Sequence, residues 1–259
     1  MPKMPVLFIG HGSPMNAVED NIFSNNWKKL AKKIPKPKTI LCVSAHWLTE
    51  GTAITSMDKP RTIHDFYGFP KNLYTIKYPA SGSTAFVNKI KDVVRTVNVE
   101  PDSEWGLDHG TWSVLRNMYP KVGIPTVQLS LDYRLSLQKA FDIGKELSLL
   151  RNEGVLIIGS GNIVHNLAMA DPDADPYNWA IDVDNVVKTN LVKKDYGNLI
   201  NYLKYPSASI AHPTNDHYMP LLYAAGAAEN EKPQFFNNEI IYGSVGMRCV
   251  VFGAGKLEM

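Results

Sequence analysis

Cysteines and long apolar runs are scarce in this sequence of 259 residues. Its two cysteines, Cys42 and Cys249, each lie among apolar neighbours, so we interpret them as buried thiols rather than a disulfide or a zinc site. No apolar run approaches the roughly 18 residues of a membrane span, and the run before His11 is too short for the hydrophobic part of a secretory signal. We therefore expect a cytoplasmic protein with no membrane partner.

An excess of charge of one sign is absent too. The chain has 27 Lys and Arg against 25 Asp and Glu, a formal net charge of +2, so no nucleic-acid partner is indicated. The densest basic stretch is WKKLAKKIPKPK at 27–38. We interpret its lysines as the C-terminal end of a helix, where they complement the helix dipole; the alternative is a phosphate-binding patch.

Several catalytic motifs are missing. The sequence contains no H-E-x-x-H zinc motif, no G-x-S-x-G nucleophile elbow and no G-x-x-x-x-G-K-[ST] phosphate loop. Neither GHGSPMN at 10–16 nor GSGNIV at 159–164 completes the dinucleotide fingerprint G-x-G-x-x-G. Ser13 and Ser160 lie in these glycine-rich turns, where a serine more often bonds the local backbone than acts as a nucleophile.

What the sequence does contain is a series of buried-strand patterns that alternate with helical patterns. Continuous apolar strands separated by helices indicate an α/β fold with a mostly parallel central sheet flanked by helices. Because no linker and no internal repeat interrupts it, residues 1–259 are predicted to form a single domain. We predict strands over 5–10, 39–45, 125–131, 154–161 and 247–253, helices over 16–34, 84–97 and 136–152, and long loops over 57–83, 98–112 and 166–178.

Histidines follow three of the predicted strands. His11, His46 and His165 lie at or just past a strand's carboxyl end, and ligands bind at that edge of open α/β sheets. Imidazole is the commonest metal ligand near neutral pH and suits Zn, Fe and Cu, so we predict a metal site there. His217 is a fourth candidate, expected in the first turn of a helix.

An aromatic segment, HDFYGFP at 64–70, lies in the first of the predicted loops. Because aromatic faces suit a flat aromatic ring, we interpret His64, Phe66 and Tyr67 as a lid or pocket wall that contacts the substrate. Trp47 is included as a further substrate contact. Plain packing of the aromatic side chains is the alternative.

Two more histidines lie away from the strand ends. His109, beside Asp108 in the predicted loop 98–112, is expected to be a mobile polar residue within reach of a substrate. His212 is interpreted as an ordinary loop histidine.

Eight short motifs occur in the order of a known family. They are GHGSPMN, VSAHW, IHDFYGFP, YPASG, WGLDHGTW, QLSLD, GSGNIVHNL and PTNDHYMPLLYAAGA. With them, the chain resembles the 4,5-DOPA extradiol dioxygenase family, within the class III ring-cleaving dioxygenases related to protocatechuate 4,5-dioxygenase. The resemblance covers almost the whole chain and implies an α/β fold around one divalent metal ion.

The resemblance also implies roles for the histidines. His11, His46 and His217 match positions that bind the metal in the family. His165 matches a residue close to the metal, either a further ligand or the acid/base group, and we favour the acid/base role. His109 matches a residue of the pocket, expected to take part in catalysis through a hydrogen bond to the substrate.

The metal ligands differ from the better-known extradiol site, which has two histidines and a carboxylate. Here a third histidine takes the place of the carboxylate. An all-imidazole site suits Zn(II), which has no redox chemistry. We therefore predict Fe(II) as the active metal and Zn(II) as a bound but inactive form.

The expected activity is extradiol ring cleavage, in which both atoms of O2 enter a DOPA-like or other small catechol at a mononuclear non-heme metal. The partners are then a catechol and O2, and a homo-oligomer is left open. Two alternatives are a zinc-dependent hydrolase and a non-catalytic metal-binding protein that resembles the Memo-like members of the wider superfamily.

Overall fold

The computed structural model describes residues 3–257 of the chain. Its strands are β1 (Val6–Gly10), β2 (Thr39–Thr49), β3 (Thr52–Thr55), β4 (Arg61–Thr62), β5 (Val99–Asp102), β6 (Gly106–Leu107), β7 (Thr126–Asp132), β8 (Val155–Gly161), β9 (Pro233–Phe236), β10 (Ile240–Ile241), β11 (Val245–Gly246) and β12 (Cys249–Phe252). Eight of them form one sheet in the order β5-β3-β7-β2-β8-β1-β12-β9. The short strands pair separately, β4 with β6 and β10 with β11.

The middle of this sheet is parallel. The strands β7, β2, β8 and β1 lie side by side in the same direction, and β1, β7 and β8 are buried along their whole length. Because both faces are covered, β1 and the first part of β8 are continuous apolar runs, whereas β7 (TVQLSLD) alternates apolar residues with buried polar ones. The α/β fold with a central sheet between helices is therefore confirmed.

Antiparallel pairing occurs on both sides of the parallel centre. The last strand, β12, pairs antiparallel with β1 and β9, and β3 pairs antiparallel with β7. Four of the seven pairings in the large sheet are parallel. The strand predicted over 247–253 is thus present but runs against its neighbours, and no crossover helix is needed to reach it from the adjacent β9.

Helices cover both faces of the sheet. They are α1 (Ile22–Lys33), α2 (Thr84–Val93), α3 (His109–Met118), α4 (Leu137–Leu147), α5 (Asn178–Lys193), α6 (Tyr196–Ile200), α7 (Ala208–Ala211) and α8 (Met219–Ala228). Alternate side chains of β1 point to opposite faces: Leu7 and Ile9 enter the apolar layer with α1 and α3, and Val6 and Phe8 enter the layer with α4 and α8. None of these helices is both long and apolar enough to span a membrane.

Two of the predicted helices are shorter than expected. The helix predicted over 16–34 begins at Ile22, because Asn21 and Ser24 cap it reciprocally, each side chain bonding the other's backbone N–H. A separate 3-10 turn occupies Pro14–Ala17. The helix predicted over 84–97 ends at Val93.

The helix predicted over 136–152 also changes character near its end. It is α-helical to Leu147 and continues as a 3-10 helix over Ser148–Glu153, which stops at Gly154 with a φ of 90°.

The basic stretch at 27–38 overlaps the end of α1, whose last turn carries Lys32 and Lys33. The helix-end interpretation of the basic stretch is therefore confirmed.

No bounds were predicted for α3 or α8, although a helix was expected at His217 and α8 begins two residues after it. The predicted loop 98–112 contains β5, β6 and the first turn of α3, so the placement of His109 in a loop was wrong. The helix α8 is buried on every side between the sheet and α4, and an apolar helix of that kind shows no one-sided pattern. An added Cβ on Gly144 of α4 would collide with the backbone of Tyr223 of α8, so glycine permits this close packing.

Candidate metal centre and active site

Five histidines converge at the carboxyl edge of the parallel strands. His11 follows β1, His46 lies in β2, His109 begins α3, His165 follows β8 and His217 lies two residues before α8. The ring centroids of His46 lie 5.0 Å from His11, 4.9 Å from His217 and 3.9 Å from His109. The centroids of His165 and His217 are 3.5 Å apart. The structure thus brings together every histidine for which a metal or catalytic role was predicted.

Close backbone approach at two glycines builds this cluster. Directly after His11, Gly12 has a φ of 57°, which is readily available only to glycine and turns the chain away from the strand. The backbone N–H of His11 donates to the carbonyl of Gly161, at 3.1 Å. An added Cβ on Gly110 would lie 2.5 Å from Ser44 Oγ and 3.1 Å from His46 Cδ2. Glycine at this position lets the start of α3 approach β2, so His109 and His46 become neighbours.

A hydrogen-bond acceptor lies against the Nδ1 atom of three of these rings. His11 Nδ1 is 3.0 Å from Ser160 Oγ, and that hydroxyl donates its own hydrogen to the Gly110 carbonyl at 2.6 Å, so it accepts from His11. His109 Nδ1 is 2.8 Å from Asp65 Oδ2, and His217 Nδ1 is 2.6 Å from Asp216 Oδ2.

An acceptor at Nδ1 holds the imidazole proton there and leaves the Nε2 lone pair free, as is usual for metal-binding histidines. The free nitrogens face one another. His11 Nε2 and His46 Nε2 are 3.0 Å apart. His217 Nε2 is buried without a hydrogen-bond partner among residues 3–257.

Ligand atoms of His11, His46 and His109 all lie within 4.8 Å of one another. Imidazole nitrogens suit Zn, Fe and Cu, so the residues fit a divalent metal ion. The third member of this group is His109 and not the predicted third ligand, His217, whose ring centroid lies 4.9 Å from that of His46 against 3.9 Å for His109.

The electrostatic environment keeps the His11, His46 and His165 rings neutral. Burial lowers the pKa of His11 and His46 well below the usual value, and neighbouring imidazoles, with His217 foremost for His11 and His109 for His46, lower it further. Burial, followed by His217, lowers the pKa of His165 to about 2. A histidine must be unprotonated to bind a metal, and His11 and His46 are in that form.

His165 differs from the other four rings in its contacts. It stacks face to face on His217, with 6° between the ring planes. Its backbone N–H donates to the carbonyl of Ala211, and its backbone forms an isolated antiparallel β-bridge with Val245. No hydrogen bond to its ring is found within the described part of the chain. The backbone therefore fixes the residue while the ring nitrogens remain free to exchange a proton.

The four residues predicted to contact substrate are placed differently from one another. Phe66 is half-buried, and its ring meets His109 edge to face at 5.6 Å. Tyr67 is 91% exposed. His64 Nε2 bonds the carbonyl of Ile76 at 3.0 Å. Trp47 is buried and stacks on Trp105, with centroids 5.7 Å apart. Phe66 is thus the member of this set that lies beside the cluster.

Sequence reasoning missed the carboxylates of the site. Asp65 lies inside the quoted HDFYGFP motif, but its partner His109 is 44 positions away, and no spacing rule connects them. Asp216 directly precedes His217, which is a local signal that could have been used. Asp108 caps α3 and is fully buried, and burial, together with the charge of Asp65, raises its pKa to about 6.

Two histidines differ from their expected local setting. His217 precedes α8 instead of lying in its first turn, and Tyr218 is the cap residue. His212 was expected to be an ordinary loop histidine, but it is only 3% exposed and packs edge to face on Tyr202 and Tyr218. Burial lowers the pKa of His212 to about 4.

Comparison with known proteins identifies the family of this chain. The family model for the catalytic LigB subunit of aromatic ring-opening dioxygenases matches residues 5–253. The chain belongs to the LigB family. A relative from Escherichia coli K12, named 4,5-DOPA dioxygenase extradiol, is 44% identical over 258 residues, covering 97% of this chain and 95% of the relative.

Other relatives agree with this assignment to the LigB family. A Beta vulgaris protein, also named 4,5-DOPA dioxygenase extradiol, is 40% identical over 242 residues, covering 89% of this chain and 90% of the relative. The crystal structure of an Escherichia coli K12 protein matches with a TM-score of 0.85 and 39% identity, covering 96% of this chain and 99% of that one. The predicted family and the predicted enzyme class, an aromatic ring-opening dioxygenase, are confirmed.

Proposed function

We propose that this LigB-family enzyme opens the ring of a small catechol beside its two hydroxyl groups, with both atoms of O2 entering the product. The observation that carries the proposal is the arrangement of the imidazoles. His11 and His46 present their Nε2 atoms 3.0 Å apart, and the buried Nε2 of His217 has no partner in the described residues. We assign these three histidines as the ligands of one non-heme metal ion.

Fe(II) is the metal that we assign to the active enzyme. Bound to these imidazoles, Fe(II) would coordinate the catechol oxygens and provide the redox link between ring and O2. Zn(II) fits the same nitrogen donors but has no redox chemistry, so a zinc-loaded protein is the inactive form. The relatives named 4,5-DOPA dioxygenase extradiol support a DOPA-like catechol as the first substrate to test.

His165 is assigned the transfer of protons. Its ring is not hydrogen-bonded within the described chain, whereas its neighbour His217 is fixed by Asp216 at 2.6 Å. A neutral imidazole stacked on a ligand can accept a hydroxyl proton from the catechol and return it as the ring opens. His109 contributes differently, because Asp65 holds its Nδ1–H and leaves Nε2 to accept a hydrogen bond from the second hydroxyl.

Reconstitution with different metals tests the activity. Metal-free protein is loaded with Fe(II), Mn(II) or Zn(II) without air, mixed with a catechol and then exposed to O2. We expect the Fe(II) protein to consume one O2 per catechol and form a yellow semialdehyde, and the Zn(II) protein to do neither. A hydrolase would form no semialdehyde, and a non-catalytic protein would show no turnover with any metal; either result contradicts the proposal.

Variants of three histidines test the assigned roles. His165→Gln should keep most of its metal and lose about 10²–10⁴-fold in kcat, the usual contribution of a general acid or base; a metal-free variant would make His165 a ligand. His217→Ala and His109→Ala separate the two candidates for third ligand. We expect metal loss in the His217 variant and retained metal with lower kcat in the His109 variant.

The organisation and location of the enzyme are further proposals. The match over residues 5–253 supports one catalytic domain over 1–259, of which residues 1–2 and 258–259 lie outside the described part. Cys42 and Cys249 are buried free thiols, which suits the reducing cytoplasm. A homo-oligomer stays a prediction.

A further inference from the structure

The carboxylate of Asp65 contacts two histidines of the cluster at once. Its Oδ2 lies 2.8 Å from His109 Nδ1 and 3.4 Å from His46 Nδ1. Its Oδ1 accepts a hydrogen bond from the backbone N–H of His109, at 2.9 Å. An ionised carboxylate has about four lone-pair sites and no hydrogen to donate. The two hydrogen bonds from His109 therefore require an acceptor at Asp65, and the 3.4 Å contact places the same oxygen beside His46 Nδ1.

We propose that Asp65 is a positioning residue that fixes His46 and His109 with their protons on Nδ1 and their Nε2 lone pairs turned to the metal centre. The proposal rests on the proposed function in one respect: it assumes that these Nε2 atoms bind a metal ion and a catechol. His11 and His217 each have an acceptor of their own, Ser160 and Asp216. Asp65 Oδ2 is hydrogen-bonded to His109 Nδ1 and lies 3.4 Å from His46 Nδ1, so one side chain is in position to orient both rings.

Asp65 lies in the same loop segment as the aromatic residues that were expected to line the pocket. The residue lies between β4 and the 3-10 turn Lys71–Thr75, outside regular secondary structure, and its neighbours hold this segment on the site. His64 bonds the Ile76 carbonyl, and Phe66 packs on His109. The segment that was expected to wall the pocket with aromatics therefore also delivers the carboxylate that orients a ligand and a catalytic histidine.

Replacement by asparagine separates positioning from packing. Asp65→Asn keeps the shape of the side chain but exchanges one acceptor oxygen for an NH2 donor. If the NH2 group faces the rings, the protons of His46 and His109 move to Nε2 and block the lone pairs. If it faces the other way, it meets the backbone N–H of His109. In serine proteases the same exchange beside a catalytic imidazole gives the wrong tautomer and lowers kcat about 10⁴-fold.

The first measurement is made on metal-free protein without substrate. Ring-nitrogen NMR shifts of 15N-histidine protein, assigned with His46→Gln and His109→Gln, report which nitrogen carries each proton. We expect the Nδ1–H tautomer for His109 in the unmodified protein and a shift toward Nε2–H in Asp65→Asn; His46 Nε2, which lies 3.0 Å from the unprotonated Nε2 of His11, is compared in the Zn(II)-bound proteins. A merely structural role would change the melting temperature and leave the tautomers unchanged.

The second measurement is the Kd for Fe(II) and Zn(II), obtained by competition with a chelator. Loss of a residue that orients a metal ligand costs about 10–100-fold in affinity, and we expect this increase in Kd for Asp65→Asn and a smaller one for Asp65→Glu, which keeps the carboxylate. Asp102→Asn is the matched control: Asp102 Oδ1 is half-buried and accepts from the backbone of Glu104 and Trp105. Its Kd should stay within twofold of the original.

Unchanged tautomers together with an unchanged Kd in Asp65→Asn would overturn the proposal. If this variant does not fold, Asp65→Ala decides by the same two measurements. The outcome is independent of ring cleavage, because neither measurement uses a catechol. Failure of the unmodified Fe(II) protein to turn over any catechol would contradict the proposed function while the tautomer and Kd results still test Asp65.

Discussion

Replacing Ser160 by alanine should weaken metal binding more than it weakens the fold. Ser160 is fully buried at the end of β8, where its hydroxyl accepts from His11 Nδ1 at 3.0 Å and donates to the Gly110 carbonyl at 2.6 Å. One hydroxyl therefore connects β1, β8 and α3. The variant removes both hydrogen bonds and little else, since the side chain loses a single oxygen.

In metal-free protein, a shift of the His11 proton from Nδ1 to Nε2 reduces the loss of folding stability caused by Ser160→Ala. Each lost hydrogen bond costs about 0.5–1.5 kcal/mol net, but the imidazole proton can move to Nε2 and donate to His46 Nε2, which lies 3.0 Å away. We therefore expect the free energy of unfolding to fall by about 1–2 kcal/mol. The same proton transfer occupies the nitrogen that binds the metal. A loss of about 10–100-fold in affinity follows, equal to about 1.4–2.7 kcal/mol.

Urea unfolding in the presence of a chelator measures the first quantity, and competition for Zn(II) measures the second. Ser130→Ala is the control, because Ser130 Oγ is equally buried and bonds Thr49 Oγ1 at 2.6 Å and Ala53 N at 2.8 Å, away from the histidines. It should lose similar stability and keep its metal affinity. An unchanged Kd in Ser160→Ala, or the same loss of affinity in both variants, would refute the reasoning.

Three further outcomes are expected. His46→Ala should lose most of its bound metal and keep its far-UV circular dichroism, and full metal occupancy would contradict its role as a ligand. Phe66→Leu should raise the KM for catechols more than it lowers the melting temperature, because the ring contacts His109 at a half-exposed position; a stability loss with unchanged KM would favour plain packing. In denaturant titrations, the free energy of unfolding of metal-free protein should fall as the pH drops below about 6.5, because buried histidines with a lowered pKa bind protons only after unfolding. Each such histidine lowers the free energy of unfolding by about 1.4 kcal/mol per pH unit. A flat profile between pH 7 and 5.5 would contradict the neutral state of these histidines. The contributing histidines are His11, His46, His165 and His212, and Asp108, with its raised pKa, opposes them.

The strand ends of the site could be predicted from sequence because local rules determine them. A buried apolar run followed by Gly10, His11 and Gly12 indicates a strand that stops at a turn, and the same reasoning located His165 after β8. Residues whose role depends on distant partners had no such rule. Asp65 meets His109 only because the segment after β4 folds onto the start of α3, and Ser160 meets Gly110 only across the sheet edge.

The start of α3 could have been predicted from local signals, although the contacts that His109 makes there could not. Asp108 followed by Trp112 and Leu115 has the pattern of a capped amphipathic helix, so His109 could have been assigned to a helix from local signals. A helix was expected at His217, but the bounds of α8 could not be read from periodicity, because burial on every side removes the polar face that such a search needs.

The position of β1 between β8 and β12 has a consequence for the synthesis of the protein. β1 leaves the ribosome first, yet both of its sheet neighbours come from the later part of the chain. At about 5–20 residues per second, β1 waits on the order of tens of seconds for β12. Until residues 160 and 217 have been synthesised, His11 has neither Ser160 nor His217 beside it, so we expect the metal to enter a finished fold rather than to guide its formation.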